Sequence, residues 1–420
     1  MVLDERAVAA DLDEQAGAIR RYLAGDADRL ARYREALAAL PAEWTAEEIR
    51  LMLDEHAYPG ALPTSALDEA DRLVVEHTPS EAFEHHEDVN AWADPILRGV
   101  PVGAVDGSEL PPTTGLTVPL AYVQAAWALN YHHPEGRLER DREGRVLAPE
   151  AITREASDGE YRFVDDQLVG HERFEFEGAV LVEKIADLAA ARDRGELAAP
   201  PVVLYDGPLI ASFANPLAPE TRDRYLETLG QIVAASAHHE VPMVGYVADS
   251  SASDLVKMLR LLESDRFGDD RIVPDAHVLA GMTSAWGDRT IPFVSRRDGA
   301  VEGLATTYRE ESYRFEGDIC FSYLDVPPGE AIDRLEFPGW MCRRAGPESY
   351  ETVFEYAVAV VRAEAGVGRG YPEILQQADS DAVLDAEDRR QFQRLLVRWA
   401  EDNDVPLEWT AKARSKELRR

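Results

Sequence analysis

Two apolar runs decide how this chain is read: Val102-Gly-Ala-Val-Asp106-Gly107-Ser108 and Val202-Val-Leu-Tyr-Asp206-Gly207-Pro208-Leu209. Each reads as a buried strand that surfaces at an Asp followed by Gly, the residue that lets a chain turn sharply. Two carboxylates at one sheet edge repel unless a cation lies between them, so the pair predicts a divalent-metal site. An Asp-Gly pair is also a common turn, and either one alone reads that way. What separates the two readings is whether the strands are neighbours.

Residues 102–106, 117–131 and 161–168 read as three strands, 174–194 as a helix and 202–206 as a fourth strand. Pro219 helps to start a helix over 220–238, and 241–247 follows as a fifth strand. Three strands joined by hairpins and then two βαβ crossovers predict an α/β fold. Its core is a mixed five-stranded sheet of ribonuclease H-like order with flanking helices. First and fourth strands then lie side by side, and Asp106 faces Asp206.

Around this core, residues 1–100 read as a helical region. Ile19, Tyr22, Leu23, Leu30, Tyr33, Leu37 and Leu40 recur at helical spacing, and further helices are expected over 45–56 and 66–77. The core region is expected over 101–380, with a β-rich insertion at about 275–340. Residues 381–420 add a helix over 387–402 and a small basic tail, Lys412, Arg414, Lys416, Arg419 and Arg420.

The 420 residues are 45% hydrophobic, enough for two or three packed units, and carry a formal net charge of −35. Lys occurs only at positions 184, 257, 412 and 416. An acidic excess spread over the whole length suits a salt-loaded, halophilic cytoplasm. At molar salt the screening length is about 3 Å, so this charge does not exclude a nucleic-acid partner. Cys320 and Cys342 show no metal-ligand spacing and fit a reducing interior. The start of the chain has no signal-like character. The uncharged stretch 110–131 is broken by Pro111, Pro112 and Pro119, which reads as core strands rather than a membrane span. A cytoplasmic protein is expected. No glycine-rich phosphate loop with Lys is present, so any ATP hydrolysis belongs to a partner.

A metal site needs more than two ligands. On the helix at 174–194 the apolar face runs through Phe174, Val180, Leu181, Ile185 and Leu188, and Glu177 falls on that same face. A core-facing acid is costly unless a cation or donor meets it; near a helix start it is also favoured by the helix dipole. Glu183 lies nearer the flank and is the fallback. Late in the chain Tyr371-Pro372 begins another helix, and Asp379, eight residues on, shares a face with Tyr371.

The ordered set Ala104-Val-Asp106-Gly-Ser108, Leu204-Tyr-Asp206-Gly-Pro-Leu209 and Val244-Gly245-Tyr-Val-Ala-Asp-Ser250 resembles the NurA nuclease family of archaeal DNA end resection. Gly287-Asp-Arg289, Arg334-Leu-Glu336-Phe-Pro338 and the Tyr371-Pro372 helix continue the likeness in the same order, from about Val102 to the C-terminus. The resemblance implies a manganese-dependent 5′-to-3′ DNA exonuclease and single-strand endonuclease. It also implies a homodimer and a hexameric HerA-type translocase as partner. Carried over by position, the acids are Asp106, Glu177 and Asp206, with Tyr371 as the late Tyr. Asp379 stands where many relatives have His, and Ala248 and Asp249 stand where a basic residue is frequent.

Carboxylates so placed suit phosphodiester hydrolysis with two divalent ions, Mn2+ or Mg2+, held by Asp106, Glu177, Asp206 and Asp379. The ions, rather than the surface, would neutralise the phosphate. Arg289 and Arg334 are candidate DNA contacts, although either can instead pair with the abundant acids. Two other readings share these residues. One is a catalytically inactive subunit that docks on HerA, and the other is an unrelated metal-dependent phosphohydrolase.

Overall fold

The computed structural model describes residues 4–77, 83, 85–113, 115–155, 162–268, 271–297, 305–314, 319–326, 332–347 and 350–407; side chains at 21–26 are not described. The basic tail lies outside these residues. The chain divides into two compact units. One comprises residues 1–78, 248–298 and 321–334; the other comprises 79–247, 299–320 and 335–420. This division cuts across the expected separate region 1–100, because the N-terminal segments pack on residues from the middle of the chain.

The first unit is built on a helix over Glu5–Glu43, capped by the Asp4 carboxylate, which accepts from the Arg6 and Ala7 amides. A second helix, Ala46–Leu53, begins with a capping box made by Thr45 and Glu48. Tyr33, Leu37, Leu40 and Ile49 bury against Leu255, Leu259, Phe267 and Phe293. The N-terminal region, expected from sequence to be helical, is not wholly so. Gly60–Pro63 is a strand antiparallel to Phe293–Arg296. The helix expected over 66–77 is only Ala66–Glu69, and Val74–Val75 pairs with Arg289–Thr290. The β-branched pair prefers the pleated partner that the fold offers it.

The second unit holds five neighbouring strands that are part of a larger mixed sheet, so the sheet is not limited to the five strands expected from sequence. Its strands are β1 (Val102–Leu110), β2 (Ala121–Asn130), β3 (Leu138–Leu147), β4 (Val202–Asp206) and β5 (Met243–Val247). Spatial order is β5-β4-β1-β2-β3. β1, β2 and β3 are joined antiparallel, whereas β1–β4 and β4–β5 are parallel. First and fourth strands are therefore neighbours, as the sequence predicts. The third strand is not 161–168. Within that stretch Arg162–Val164 forms a separate small hairpin with Thr153–Glu155.

Five helices surround this sheet: α1 (Asp166–Asp193), α2 (Pro219–His239), α3 (Val353–Val367), α4 (Glu373–Ala382) and α5 (Ala386–Asp402). α1 starts earlier than expected because Asp165 caps it, accepting from the Gln167 amide. Its inner face, Phe174, Val180, Leu181, Ile185 and Leu188, packs with Val105, Val123, Val203 and Tyr205 of the strands and Leu229, Ile232 and Val233 of α2. Among the described residues no helix is long and apolar enough to cross a membrane.

Candidate active site

Register places the two aspartates. β1 pairs with β2 along its whole length but with β4 only from Val102↔Val202 to Val105↔Tyr205. Asp106 and Asp206 occupy the next step, where β4 ends. The two Asp-Gly pairs prove to be different objects. Gly207 takes φ +146° as the chain leaves β4, a conformation that favours glycine. Asp106-Gly107 makes no turn: β1 continues through it, and Gly107 pairs with Ala125.

Gly107 is required for a different reason. A Cβ there would lie 2.6 Å from Glu177 Oε2 and 3.2 Å from the Arg173 side chain. Strand alternation sends Gly103 and Gly107 toward α1 and Asp106 toward the opposite face. On that face α4 packs over β1, β2 and β4, and Gln124 of β2 donates to the Ala382 carbonyl. α4 carries Asp379, and Tyr371 just before it donates its hydroxyl to the Asp206 carboxylate. The ring of Tyr371 stands edge-on to Tyr246, centroids 5.1 Å apart. Glu177 comes from the α1 side, through the space a side chain at 107 would fill. Asp106, Glu177, Asp206, Tyr371 and Asp379 are thus gathered at one end of the sheet from four elements and a loop.

Their electrostatics reflect burial and crowding. Burial raises the Asp106 carboxyl to about 6, opposed by the Gly107 amide and reinforced by Asp379 and Asp206. Burial likewise raises Asp206, with Tyr371 opposing and Asp379 adding. Glu177, 4% exposed, is raised to about 8 by burial. Arg173 works against that shift. Its guanidinium donates to Glu177 Oε2 at 2.9 Å and to the Gly107 carbonyl at 3.1 Å. Lying eleven residues into α1, Glu177 is no helix-start acid. Glu183 points outward with its side chain 58% exposed beside Lys184, so the fallback acid is apart from the site.

Two buried carboxylates hold the framework. Glu336 accepts from the Leu209 and Ile210 amides at 2.9 and 3.1 Å, fixing the loop that follows Asp206. Gly245 allows this closeness, since a Cβ there would meet the Gly207 carbonyl at 2.6 Å. Glu364 of α3 accepts from the Ile374 amide in the first turn of α4 and lies 3.0 Å from His132 Nε2. His132 Nδ1 is 2.8 Å from the Val100 carbonyl. Both ring nitrogens face acceptors; burial pulls the imidazole down, but Glu364 and the Val100 carbonyl together hold it above the usual histidine value. Sequence reading placed Glu336 in a matching motif without assigning it a role, and it missed Glu364, as well as Arg173 despite its i,i+4 spacing to Glu177.

Arg289 and Arg334 belong to the first unit, and their expected role as DNA contacts is corrected. Arg334 is wholly buried, 2.7 Å from Asp254, with its guanidinium 3.8 Å from the centre of the Phe321 ring and donating to the Tyr323 hydroxyl. Arg297 shares Asp254 at 2.8 Å. Arg289, 5% exposed, donates to the Thr290 carbonyl. A buried, paired guanidinium cannot meet a phosphate without breaking the fold.

Among the described residues, the His, Cys and acid groups with donor atoms within 4.8 Å of one another are His171, Glu172 and Glu175 on α1. No three of the acids at the sheet end meet that spacing. Arg224 of α2 already binds both of those glutamates, at 2.9 and 2.6 Å, so they are partnered within the fold. No curated protein matches the chain. The NurA domain matches residues 100–384, the span that holds every element of the site described above, and the chain therefore belongs to the NurA domain family.

Proposed function

We propose that this protein is a metal-dependent deoxyribonuclease, a 5′-to-3′ exonuclease and single-strand endonuclease. On this reading it works as a homodimer with a HerA-type hexameric translocase in the resection of DNA ends. Membership of a family with a nuclease role in DNA end processing supports it. The observation that carries it is the meeting of Asp106, Asp206 and Asp379 at one sheet end, with Glu177 reaching them past Gly107.

The donors fit a hard divalent ion. All are carboxylate oxygens, and both strand aspartates have protonation raised by burial and by neighbouring carboxylates, Asp106 by Asp379 and Asp206 and Asp206 by Asp379, a strain that a cation relieves. Asp106, Asp206 and Asp379 would hold Mn2+ or Mg2+, two ions per site, with Glu177 contributing Oε1 because Arg173 holds Oε2. Ions bound there would supply Lewis acidity for a phosphodiester and its attacking water. The chain's own residues supply position. Tyr371 orients the Asp206 carboxylate, Arg173 aims Glu177, Glu336 fixes the loop after Asp206, and Glu364 seats the helix that carries Asp379.

The test is cleavage of labelled single- and double-stranded DNA at high KCl with Mn2+ or Mg2+, comparing wild type with Asp106→Asn. Loss of at least about a hundredfold in rate is expected in the variant. Equal cleavage by both proteins would refute the site. No cleavage by either, together with capture of a HerA-type ATPase, would make the protein an interaction subunit instead.

A further inference from the structure

β2 ends at Asn130, and His132 just beyond it takes φ +45°, a left-handed conformation uncommon for a residue with a side chain. The bend is held from both sides. The Asn130 side-chain oxygen accepts from the His132 amide at 2.9 Å, and the His132 carbonyl accepts from the Gly99 amide at 3.1 Å. Strain of this kind persists where the surroundings fix the residue. It sets the ring, with its side chain 14% exposed, between the segment entering β1 and helix α3.

From this ring a short path leads to the acids. Nε2 lies 3.0 Å from Glu364 Oε1, and Glu364 Oε2 accepts from the Ile374 amide at 2.9 Å, in the first turn of α4. Gln376 Nε2 donates to the Gly368 and Tyr371 carbonyls, each at 2.9 Å, so Tyr371 is fastened to the same turn. Tyr371 in turn donates its hydroxyl to Asp206, and Asp379 lies further along α4.

The geometry asks the ring for two donors. Nδ1 is 2.8 Å from the Val100 carbonyl while Nε2 faces the Glu364 carboxylate. A neutral imidazole has one N–H and serves one of them; an imidazolium serves both. Glu364 is 2% exposed, and a buried carboxylate facing a lone pair in place of a donor is costly. Glu364 on α3 is the charge that acts on the ring, and with the Val100 carbonyl it outweighs burial and raises the imidazole above its ordinary value. The segment entering β1 offers the ring a carbonyl and the end of β2 holds the His132 amide through Asn130, neither of which titrates.

We propose that His132 is a proton-dependent positioning residue: its doubly protonated ring holds Glu364, and through Glu364 the helix α4, where Tyr371 and Asp379 meet Asp106 and Asp206. The consequence for cleavage rests on the nuclease reading given above; the seating of α4 does not. Loss of the proton sets a lone pair against one of the two acceptors, frees the first turn of α4 and lets Tyr371 part from Asp206. The site then has an upper pH bound set by a residue outside the acids, besides the lower bound set by protonation of the acids themselves.

The test reads α4 and cleavage separately, in wild type, His132→Ala and Glu364→Gln. In Glu364→Gln the amide oxygen still accepts from Ile374 while the amide nitrogen donates to a neutral ring, so no extra proton is needed. Hydrogen–deuterium exchange of the metal-free proteins, corrected for intrinsic exchange, should show α4 protection falling about tenfold in wild type between about pH 7 and 9, and much less in Glu364→Gln. The acids of the site titrate in both proteins, so the difference between the two reads His132. Its midpoint should match the titration of the imidazole resonance that is missing from His132→Ala, in which α4 protection is low throughout. Cleavage of an oligothymidylate in Mg2+ should show an alkaline fall in kcat/KM of about tenfold at the same midpoint, absent from Glu364→Gln. Equal pH dependence of α4 protection in wild type and Glu364→Gln would overturn the proposal, as would a change in protection that leaves kcat/KM unmoved. A wild type whose α4 responds to pH but which cuts no DNA at any pH would refute the nuclease reading alone and support the proton-dependent seating of α4.

Discussion

Replacing Asp106 by Asn should make the metal-free protein more stable while abolishing its activity. The carboxyl is raised from 3.8 to about 6 by burial and by Asp379 and Asp206. At about 1.36 kcal/mol per pH unit, that difference amounts to roughly 3 kcal/mol, nearer 2 after solvent screening of a group that is only half-buried. The sign follows from proton uptake. The folded state holds this proton more tightly than the unfolded chain, so wild-type stability is full below pH 3.8 and falls as pH rises through about 6. Asn has no proton to lose. The variant should match wild type near pH 4 and exceed it by about 2–3 kcal/mol at pH 7–8, read from denaturant unfolding at fixed KCl with a chelator present. Adding Mn2+ should then stabilise wild type, by about 2.7 kcal/mol at a hundred times the dissociation constant, and leave the variant nearly unmoved. A stability gap that is the same at pH 4 and pH 8, or a variant less stable at pH 8, would refute the account of the crowded carboxylates.

Gly107→Ala should cost about 1–3 kcal/mol and most of the activity, because its Cβ would press on Glu177 Oε2; unfolding and rate measurements on one preparation read both. Tyr371→Phe removes the donor that lowers Asp206, so the acid limb of the pH–rate profile should move to higher pH, with a rate loss of about tenfold at neutral pH. Arg334→Met leaves Asp254 with Arg297 alone and should destabilise by about 3–5 kcal/mol, while the salt dependence of DNA cleavage in the surviving folded protein stays as in wild type.

The parts of the fold legible in sequence were those whose chemistry is uniform along an element. β4 and β5 are continuous apolar runs, and α2 opens with Pro219. From these the neighbouring of first and fourth strands followed, and with it the meeting of Asp106 and Asp206. β3 was missed because an edge strand with both faces in water carries neither alternation nor hydrophobicity: nearly every residue from Leu138 to Val146 is exposed. The start of α1 was misplaced because the short apolar stretch before Asp166 looks like strand and is cut off from the sheet. Gly107 was read as a turn, since a sequence shows a missing side chain but not what fills its space. Arg334 and Arg289 looked like phosphate contacts because burial is a property of the packed chain. The roles of Glu336 and Glu364 carried no local signal, their partners being backbone amides of other elements.

Glu364 binds the first turn of α4 and, through His132, the segment that enters β1. The clamp thereby joins the earliest acid of the site to the latest. A ribosome delivers Asp106, Glu177 and Asp206 well before it delivers Glu364, Tyr371 and Asp379, so a nascent chain passes through a long stage in which most of the sheet is made and the acidic cluster is incomplete. On the nuclease reading, a chain assembled in this order completes its acidic cluster only when the last helices are made.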